Sequence, residues 1–231
     1  MSPVKYELRD NIGIIIVNNP PVNALSQAVR SGLAECLEEG INDSNAQAII
    51  VTGGGRTFMA GADISEFGKP AKSPDLNSVI NSYENSSKPI IAALHGTPLG
   101  GGLEVAMGCH YRVANSKTML GLPEVKLGLL PGAGGTQRLP RIVGPELALE
   151  MITSGNPIPA SKALKEGLIE EMHDVNSLEE LIEKAMAFAR TIISQNSHPK
   201  SRDRNEKISN ISNEIFDNAI KKITPKLRGR E

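Results

Sequence analysis

The sequence is poor in the features that mark a disulfide framework, a charged partner or a membrane span. Among 231 residues there are two cysteines, Cys36 and Cys109, too few for a disulfide scaffold or a cysteine-based zinc site. The formal net charge is −1, so the overall charge favours neither nucleic acid nor an anionic membrane as a partner. No apolar run approaches the length of a membrane span. With 39% hydrophobic residues, we expect a soluble chain with one packed domain, with or without an appendage.

Several motifs that would identify a reaction directly are also missing. The triple glycine at 100–102 is not part of a GxGxxG fingerprint, and the one at 53–55 lacks the lysine and hydroxyl residue of a P-loop. No GxSxG nucleophile motif is present, which disfavours a serine hydrolase of that type. The histidines are scattered without metal-ligand spacing, so we expect no metal site; they are His95, His110, His173 and His198.

What is present is a regular order of strands and helices. A strand at 12–17, a helix at 27–39 that begins at Ser26, and a strand at 48–51 predict a βαβ unit with parallel strands and a right-handed crossover. A polar loop is expected at 66–75. Further strands are predicted at 89–94, 111–114 and 169–175, and further helices at 76–86, 102–109, 136–143, 145–154, 160–166, 177–194 and 211–223.

Two isolated glutamates lie among the glycines of the segment 98–140. Glu104 and Glu124 are the only carboxylates between residues 90 and 145, where the average composition of the chain would place several more. Apolar surroundings raise the pKa of a carboxyl group and suit it to proton transfer. Glycine N–H groups where a helix begins can bind a developing oxyanion. The pattern therefore indicates an oxyanion site with one or two acid–base groups.

A purely structural interpretation of the same residues stays open at this point. Glu104 would then only complement the helix dipole, and Glu124 would be a turn residue. Asp63, in the small-residue stretch 58–64, is more typical of a side chain that stabilises a turn than of a catalytic group. Spacing alone does not decide between these interpretations.

Three segments resemble the crotonase (enoyl-CoA hydratase/isomerase) superfamily. They are NNPPVNAL at 18–25, FMAGADI at 58–64, and the run 100–140, which includes GLPEVKLGLLPGAGGTQ. The likeness covers about residues 5–194. Together with GCHYRVAN at 108–115, these segments most resemble the N-terminal hydratase/isomerase part of the multifunctional β-oxidation enzymes.

The resemblance implies an α/β fold, a crotonase-like spiral of ββα and βαβ turns with two near-perpendicular sheets and a helical C-terminal region. The core of this fold is expected at 1–194. Polar and charged composition predicts a linker at 195–209, and helical spacing of apolar residues predicts a C-terminal amphipathic helix, with a tail, at 210–231. In multifunctional enzymes of this type a linker and helix lead into a dehydrogenase part, so the chain is either a natural single-domain form or a fragment.

The resemblance also assigns residues to a site. Glu104 and Glu124 fall on the positions of the two hydratase glutamates, and the backbone N–H groups of Ala62 and Gly101 on those of the oxyanion hole. Small residues there let the thioester oxygen approach the backbone. The further implied substrate-binding residues are Ala60, Asp63, Ile64, Gly100, Pro131 and Gly132.

The implied reaction is syn addition of water to a trans-2-enoyl-CoA in fatty-acid β-oxidation, giving a 3-hydroxyacyl-CoA. We assign water activation to Glu104 and protonation of Cα to Glu124, although exchanged roles would leave the same sequence. A 3-enoyl to 2-enoyl isomerase step needs only one proton shuttle, for which Glu124 is placed. The alternatives are another acyl-CoA reaction of the superfamily and a catalytically silent CoA-binding protein.

The implied substrate is an acyl-CoA thioester, in which coenzyme A is part of the substrate, and no redox cofactor or metal is implied. Expected assemblies are a homotrimer or hexamer, or fusion to a 3-hydroxyacyl-CoA dehydrogenase part in a longer parent chain. Residues 1–11 carry no targeting pattern, so we expect the cytoplasm for a bacterial protein and the peroxisome or mitochondrion otherwise.

Overall fold

A computed structural model describes residues 2–66, 68–70 and 72–224. These ranges contain eight strands: β1 Val4–Arg9, β2 Ile12–Val17, β3 Ala48–Gly53, β4 Ile90–Leu94, β5 Tyr111–Asn115, β6 Met119–Leu120, β7 Ile158–Pro159 and β8 Glu171–His173. They also contain eight α-helices: α1 Gln27–Asn42, α2 Leu76–Glu84, α3 Gly101–Gly108, α4 Gly135–Val143, α5 Pro145–Ser154, α6 Ala160–Glu166, α7 Leu178–Ile192 and α8 Glu214–Ile223. Three 3₁₀ turns lie at Ile64–Glu66, Glu124–Leu127 and Ser201–Asp203.

Most of the strands form one sheet in the order β1-β2-β3-β4-β5-β8, and β6 pairs with β7 in a second sheet. β2 through β5 and β8 run parallel, so the predicted βαβ unit is confirmed. The sequence prediction missed β1, an antiparallel edge strand. Its residues, VKYELR, alternate apolar with charged side chains and lack the β-branched run that revealed β2.

Capping side chains fix where two of the helices begin. The Ser26 side chain accepts a hydrogen bond from the N–H of Val29, as predicted for the start of α1. Asp75 accepts one from the N–H of Ser78 and begins α2 in the same way. α1 continues three residues past the predicted end, to Asn42.

Hydrophobic side chains cover both faces of the large sheet, as expected for parallel strands. On β2, Ile14 faces the cluster that α7 covers, whereas Ile15 faces the larger cluster that contains residues of α1 through α6. All eight residues of α3 are buried, and four of them belong to the larger cluster: Leu103, Val105, Ala106 and Met107. The site helix is therefore anchored in the core along its whole length.

Part of the predicted linker 195–209 packs on the core. Ser201 is buried, and its hydroxyl donates to the carbonyl oxygen of Met107, on α3, at 2.7 Å. The division into core, linker and C-terminal helix stays a prediction, and the end of the predicted tail, 225–231, lies outside the described residues. Within those ranges, no helix is both long and apolar enough to cross a membrane.

Candidate active site

Three short parallel pairings outside the main strands bring four distant segments together. Leu25 pairs with Ala62, Ala60 pairs with Leu99, and Leu99 pairs with Gly121. The bridging segment 60–62 thus lies between the chain near residue 25 and the chain that leads into α3. These pairings place the small-residue stretch beside the triple glycine, as the resemblance implies.

Two backbone N–H groups in this arrangement have no acceptor among the described residues. One belongs to Ala62. In the pairing of this segment with Leu25, the N–H of Leu25 donates to the carbonyl of Gly61 at 3.0 Å, and the N–H of Ala62 is not used. The other belongs to Gly101, the first residue of α3, where helical N–H groups have no intrahelical partner. A Cβ atom on Gly101 would lie 3.7 Å from the Ala62 nitrogen, so the two amides are neighbours.

Glu104 lies at the inner end of the site, and its side chain is held from one side. Only 2% of the residue is exposed, and its Oε1 accepts the N–H groups of Ala133 and Gly135, both at 2.8 Å. Burial raises the pKa of this carboxyl group, while the two hydrogen bonds and Arg138 act in the opposite direction. Oε2 has no partner in the described chain. One oxygen is therefore fixed and the other is available to a substrate or to water.

Glu124 occupies the opposite wall and has less support. It begins the 3₁₀ turn Glu124–Leu127 after Pro123, and its buried Oε2 has no hydrogen-bond partner among the described residues. Burial raises the pKa of Glu124 to about 7, and the negative charge of Glu104 adds to the rise. A carboxyl group with this pKa exchanges protons near neutral pH.

Gly100 accommodates the close approach of Glu124 to α3. Its φ is +53°, a conformation that strains other residues, and a Cβ there would lie 2.9 Å from Oε1 of Glu124. Glycine at this position thus serves both the turn into α3 and the space for the carboxylate.

These groups surround one cavity of about 370 Å³. Eight of the ten predicted site residues line it: Ala60, Ala62, Ile64, Gly100, Gly101, Glu104, Glu124 and Gly132. The other two do not. Asp63 instead accepts the N–H of Ser65 at 2.9 Å, the turn role that its residue type favours, and Pro131 packs behind the wall close to Gly135. Most of the remaining wall is apolar.

Sequence reasoning missed the two amides that hold Glu104 and the apolar residues at the rim. The available signal for the amides was the glycine cluster before α4, which resembles the triple glycine before α3 in leaving N–H groups free. Leu127 and Leu130 line the rim and are 66% and 72% exposed. The three leucines in the short run LGLL at 127–130 were the available sequence signal for an apolar rim.

The raised pKa of Glu124 predicts a pH-dependent cost in stability. The folded state holds this proton up to about pH 7, whereas an unperturbed glutamate releases it near 4.5. Stability conferred by the protonated form is therefore present below pH 4.5 and is lost as pH rises through 7. Glu124→Gln, which cannot ionise, should melt higher than the unsubstituted protein at pH 8, by more than at pH 5.

Solvent screening of this partly exposed group reduces the difference to about 1 kcal/mol, or roughly 2–4 °C in Tm. Thermal unfolding of both proteins at the two pH values provides the measurement. An equal Tm difference at pH 5 and pH 8 would contradict the raised pKa.

The family model described as Enoyl-CoA hydratase/isomerase matches residues 7–213. The chain belongs to this family. The resemblance drawn from the three sequence segments is thereby confirmed, and the enoyl-CoA hydratase/isomerase fold predicted for the chain agrees with its solved neighbours.

Two relatives show how the chain compares with longer and shorter members. It is 45% identical over 183 residues to the peroxisomal bifunctional enzyme of Danio rerio, covering 79% of this chain and 26% of that protein. It is 43% identical over 196 residues to a probable enoyl-CoA hydratase of Bacillus subtilis strain 168, covering 82% and 75%. The chain thus spans about a quarter of the length of the zebrafish relative and most of the bacterial one.

Solved structures of the family match nearly the whole chain. The enoyl-CoA hydratase of Bacillus anthracis is 30% identical, with a TM-score of 0.75 over 96% of this chain and 91% of that one. An enoyl-CoA hydratase subunit I from Geobacillus kaustophilus is also 30% identical, with a TM-score of 0.76 over 99% and 91%. The order of strands and helices described above is therefore the fold of this family.

Proposed function

We propose that the chain is an enoyl-CoA hydratase that adds water in the syn sense to trans-2-enoyl-CoA and forms 3-hydroxyacyl-CoA in fatty-acid β-oxidation. One observation carries the proposal. Glu104 and Glu124, each with a carboxyl oxygen that has no partner among the described residues, line the same cavity as two backbone N–H groups that have no acceptor there. Hydration of a conjugated thioester needs an acid–base pair and a site for the developing oxyanion. The name of the Bacillus subtilis relative, a probable enoyl-CoA hydratase, agrees with this chemistry.

The thioester oxygen is expected to accept from the N–H groups of Ala62 and Gly101. Negative charge develops on this oxygen when water attacks Cβ, and two oriented donors stabilise it without having to reorganise. The Gly101 amide also lies at the positive end of α3. Binding at this point directs the conjugated double bond toward the two glutamates.

The different surroundings of the glutamates support distinct roles. Glu104 is oriented by two N–H groups and, in its carboxylate form, takes a proton from water while the water oxygen bonds to Cβ. Glu124, with a pKa of about 7, gives its proton to Cα as the enolate collapses. A proton then returns from Glu104 to Glu124, so the net reaction adds one water and consumes nothing else. The steps need neither a redox cofactor nor a metal.

A second activity is favoured by the unpartnered oxygen of Glu124. Moving a double bond from the 3 to the 2 position removes a proton from one carbon and returns it to another. A single carboxyl group with a pKa of about 7 can do both. We propose 3-enoyl to 2-enoyl-CoA isomerisation as this activity.

Loss of the conjugated-enoyl absorbance of crotonyl-CoA and decenoyl-CoA tests the hydratase proposal directly. We expect turnover by the purified protein, at about 1–10³ s⁻¹ for the better substrate. A Glu104→Gln, Glu124→Gln double variant provides the inactive control. The proposal would be refuted if the purified protein shows no turnover, or if the double variant still turns over the substrate. Calorimetric binding of an acyl-CoA without turnover would favour a silent CoA-binding protein.

The relatives support only general proposals about the assembly and the cellular compartment of the chain. The relatives include peroxisomal enzymes of eukaryotes and a bacterial enzyme, and some are much longer multifunctional chains. We propose a homotrimer or hexamer for the chain by itself, or attachment to a dehydrogenase part within a longer parent. Light scattering of the purified chain distinguishes a monomer from these oligomers.

A further inference from the structure

A buried ion pair lies directly behind the loop that holds Glu104. Arg138, on α4, and Glu84, at the end of α2, are 2.7 Å apart, and their side chains are 8% and 1% exposed. Arg138 also donates to the side-chain oxygen of Asn81 at 3.1 Å. Neither charged residue lines the cavity, so the pair does not touch the proposed substrate.

Ala133 connects this pair to the catalytic carboxylate. Its carbonyl oxygen accepts from Nη1 of Arg138 at 3.2 Å, and its N–H donates to Oε1 of Glu104 at 2.8 Å. The guanidinium packs closely on the same loop, since a Cβ on Gly134 would lie 2.2 Å from Nη1. A shift of Arg138 therefore moves the amides that orient Glu104.

A second cation holds Glu84 from the segment after α7. The backbone N–H of Arg202 donates to Oε1 of Glu84 at 2.9 Å, and its Nε donates to Oε2 at 2.7 Å. Burial alone would raise the pKa of Glu84, but the hydrogen bonds from Arg138 and Arg202 outweigh it and leave the pKa below its ordinary value. Glu84 is thus a buried anion shared by two arginines.

We propose that Arg138 is a positioning residue for the hydration reaction, fixed by Glu84 and by the Arg202 segment, and that it holds the loop 133–135 in the geometry that orients Glu104. This inference rests on the proposed hydratase function. It connects the segment at 201–203, which lies beyond the predicted core, to the chemistry inside the cavity.

The charge of Arg138 also acts on Glu104. Burial raises the pKa of Glu104, and Arg138 opposes the rise together with the two hydrogen bonds. The charged groups that face Glu104 are Arg138, from α4, which lowers its pKa, and Glu124, from the facing 3₁₀ turn, whose own pKa is raised by the charge of Glu104. Loss of the cation should therefore leave Glu104 protonated up to a higher pH, which removes the base from part of the enzyme population.

A buried ion pair is also a common structural element, and breaking one destabilises a protein whether or not the site depends on it. The chain offers a comparison. Arg112 is fully buried and pairs with Glu170 at 2.7 Å. It also donates to the carbonyls of Leu168 and of Cys109, just after the end of α3, and it makes no hydrogen bond to the loop 133–135. Glu170→Gln should lower Tm and leave kcat unchanged.

The test compares Arg138→Met, Arg138→Lys and Arg202→Met with Glu170→Gln. Arg138→Met should lower kcat about 100-fold with little change in KM, because a small misplacement of a catalytic group costs about that much. Its kcat should also begin to fall at a higher pH on the acidic side. Arg138→Lys keeps the charge. Its pH profile should therefore be closer to that of the unsubstituted protein than the profile of Arg138→Met is, while its kcat should recover less. The Arg202 side chain is 39% exposed, and Arg202→Met should lower kcat by about threefold. This variant replaces Arg138→Met in the comparison if Arg138→Met does not fold.

Titration of the Glu104 carboxyl carbon by ¹³C NMR supplies a readout independent of turnover. Its pKa should rise in Arg138→Met and not in Glu170→Gln. If the unsubstituted protein hydrates no enoyl-CoA, the proposed function fails, and this titration still decides whether Arg138 controls the protonation of Glu104. The inference is overturned if kcat of Arg138→Met stays within about twofold of the unsubstituted protein, if Glu170→Gln reproduces its effects, or if the Glu104 pKa does not move.

Discussion

Replacing Glu124 with glutamine is expected to lower kcat for hydration by about 10²–10⁴-fold, the usual contribution of a positioned acid or base. The substitution preserves the shape of the side chain and removes only its ability to donate a proton to Cα. KM should change much less, because the thioester oxygen remains bound to the amides of Ala62 and Gly101. Steady-state kinetics with crotonyl-CoA at pH 7 measures both constants.

The pH dependence gives this experiment a second readout. With a pKa of about 7, the acid form of Glu124 disappears as pH rises, so kcat of the unsubstituted enzyme should fall on the alkaline side. The residual activity of Glu124→Gln should lack that fall. Glu150→Gln, on α5 with an exposed carboxylate near Lys162, is the matched control and should retain full activity. A loss of less than tenfold, or an unchanged alkaline fall, would contradict the acid role.

Replacing Gly102 with alanine is expected to destabilise the fold by about 3 kcal/mol and to impair the site as well. A Cβ at this position would lie 2.0 Å from the carbonyl oxygen of Met59 and 2.6 Å from its carbonyl carbon. Both are backbone atoms, which cannot rotate away, so α3 and the segment after Met59 must separate. That segment carries Ala62, and its amide would move away from that of Gly101.

The sign of this effect is informative because helix propensity predicts the opposite. Alanine inside a helix is normally more stable than glycine by about 0.5–1 kcal/mol, so only the close contact with Met59 accounts for a loss. Gly132→Ala is the control, since a Cβ there meets nothing within 4 Å. Urea unfolding of both variants gives the free energies of unfolding. A Gly102→Ala protein as stable as Gly132→Ala would contradict the described contact between α3 and Met59.

Local pattern was sufficient to predict the parts of the fold that depend on neighbouring residues. The β-branched run of β2 and the Ser26 cap of α1 are signals of this kind, and both predictions are confirmed. The edge strand β1 was missed because it lacks such a β-branched run, although its alternation of apolar and charged side chains is typical of a half-buried strand. The two glutamates were visible because carboxylates are otherwise absent from their surroundings.

The contacts that hold the site were not predictable in this way. The Arg138–Glu84 pair joins residues 54 apart, and Arg202 reaches Glu84 across 118. Neither contact follows a helical or strand period, so hydrophobic spacing gives no indication of it. The stretch 195–209 was predicted to be a linker on its polar composition, and composition does not reveal that Arg202 binds the buried carboxylate of Glu84.

The four segments that meet at the cavity also determine when the site can exist during folding. Bringing residue 25 to residue 62, and residue 99 to residue 121, closes two loops of the chain. Each closure costs conformational entropy before the pairing bonds compensate for it. The segment 98–140 contains both glutamates and one amide, but a peptide of that length would not contain the second amide. We infer that the oxyanion hole forms late, once β2 through β5 have assembled. A partly synthesised or partly folded chain would carry the reactive residues without the ability to bind the thioester.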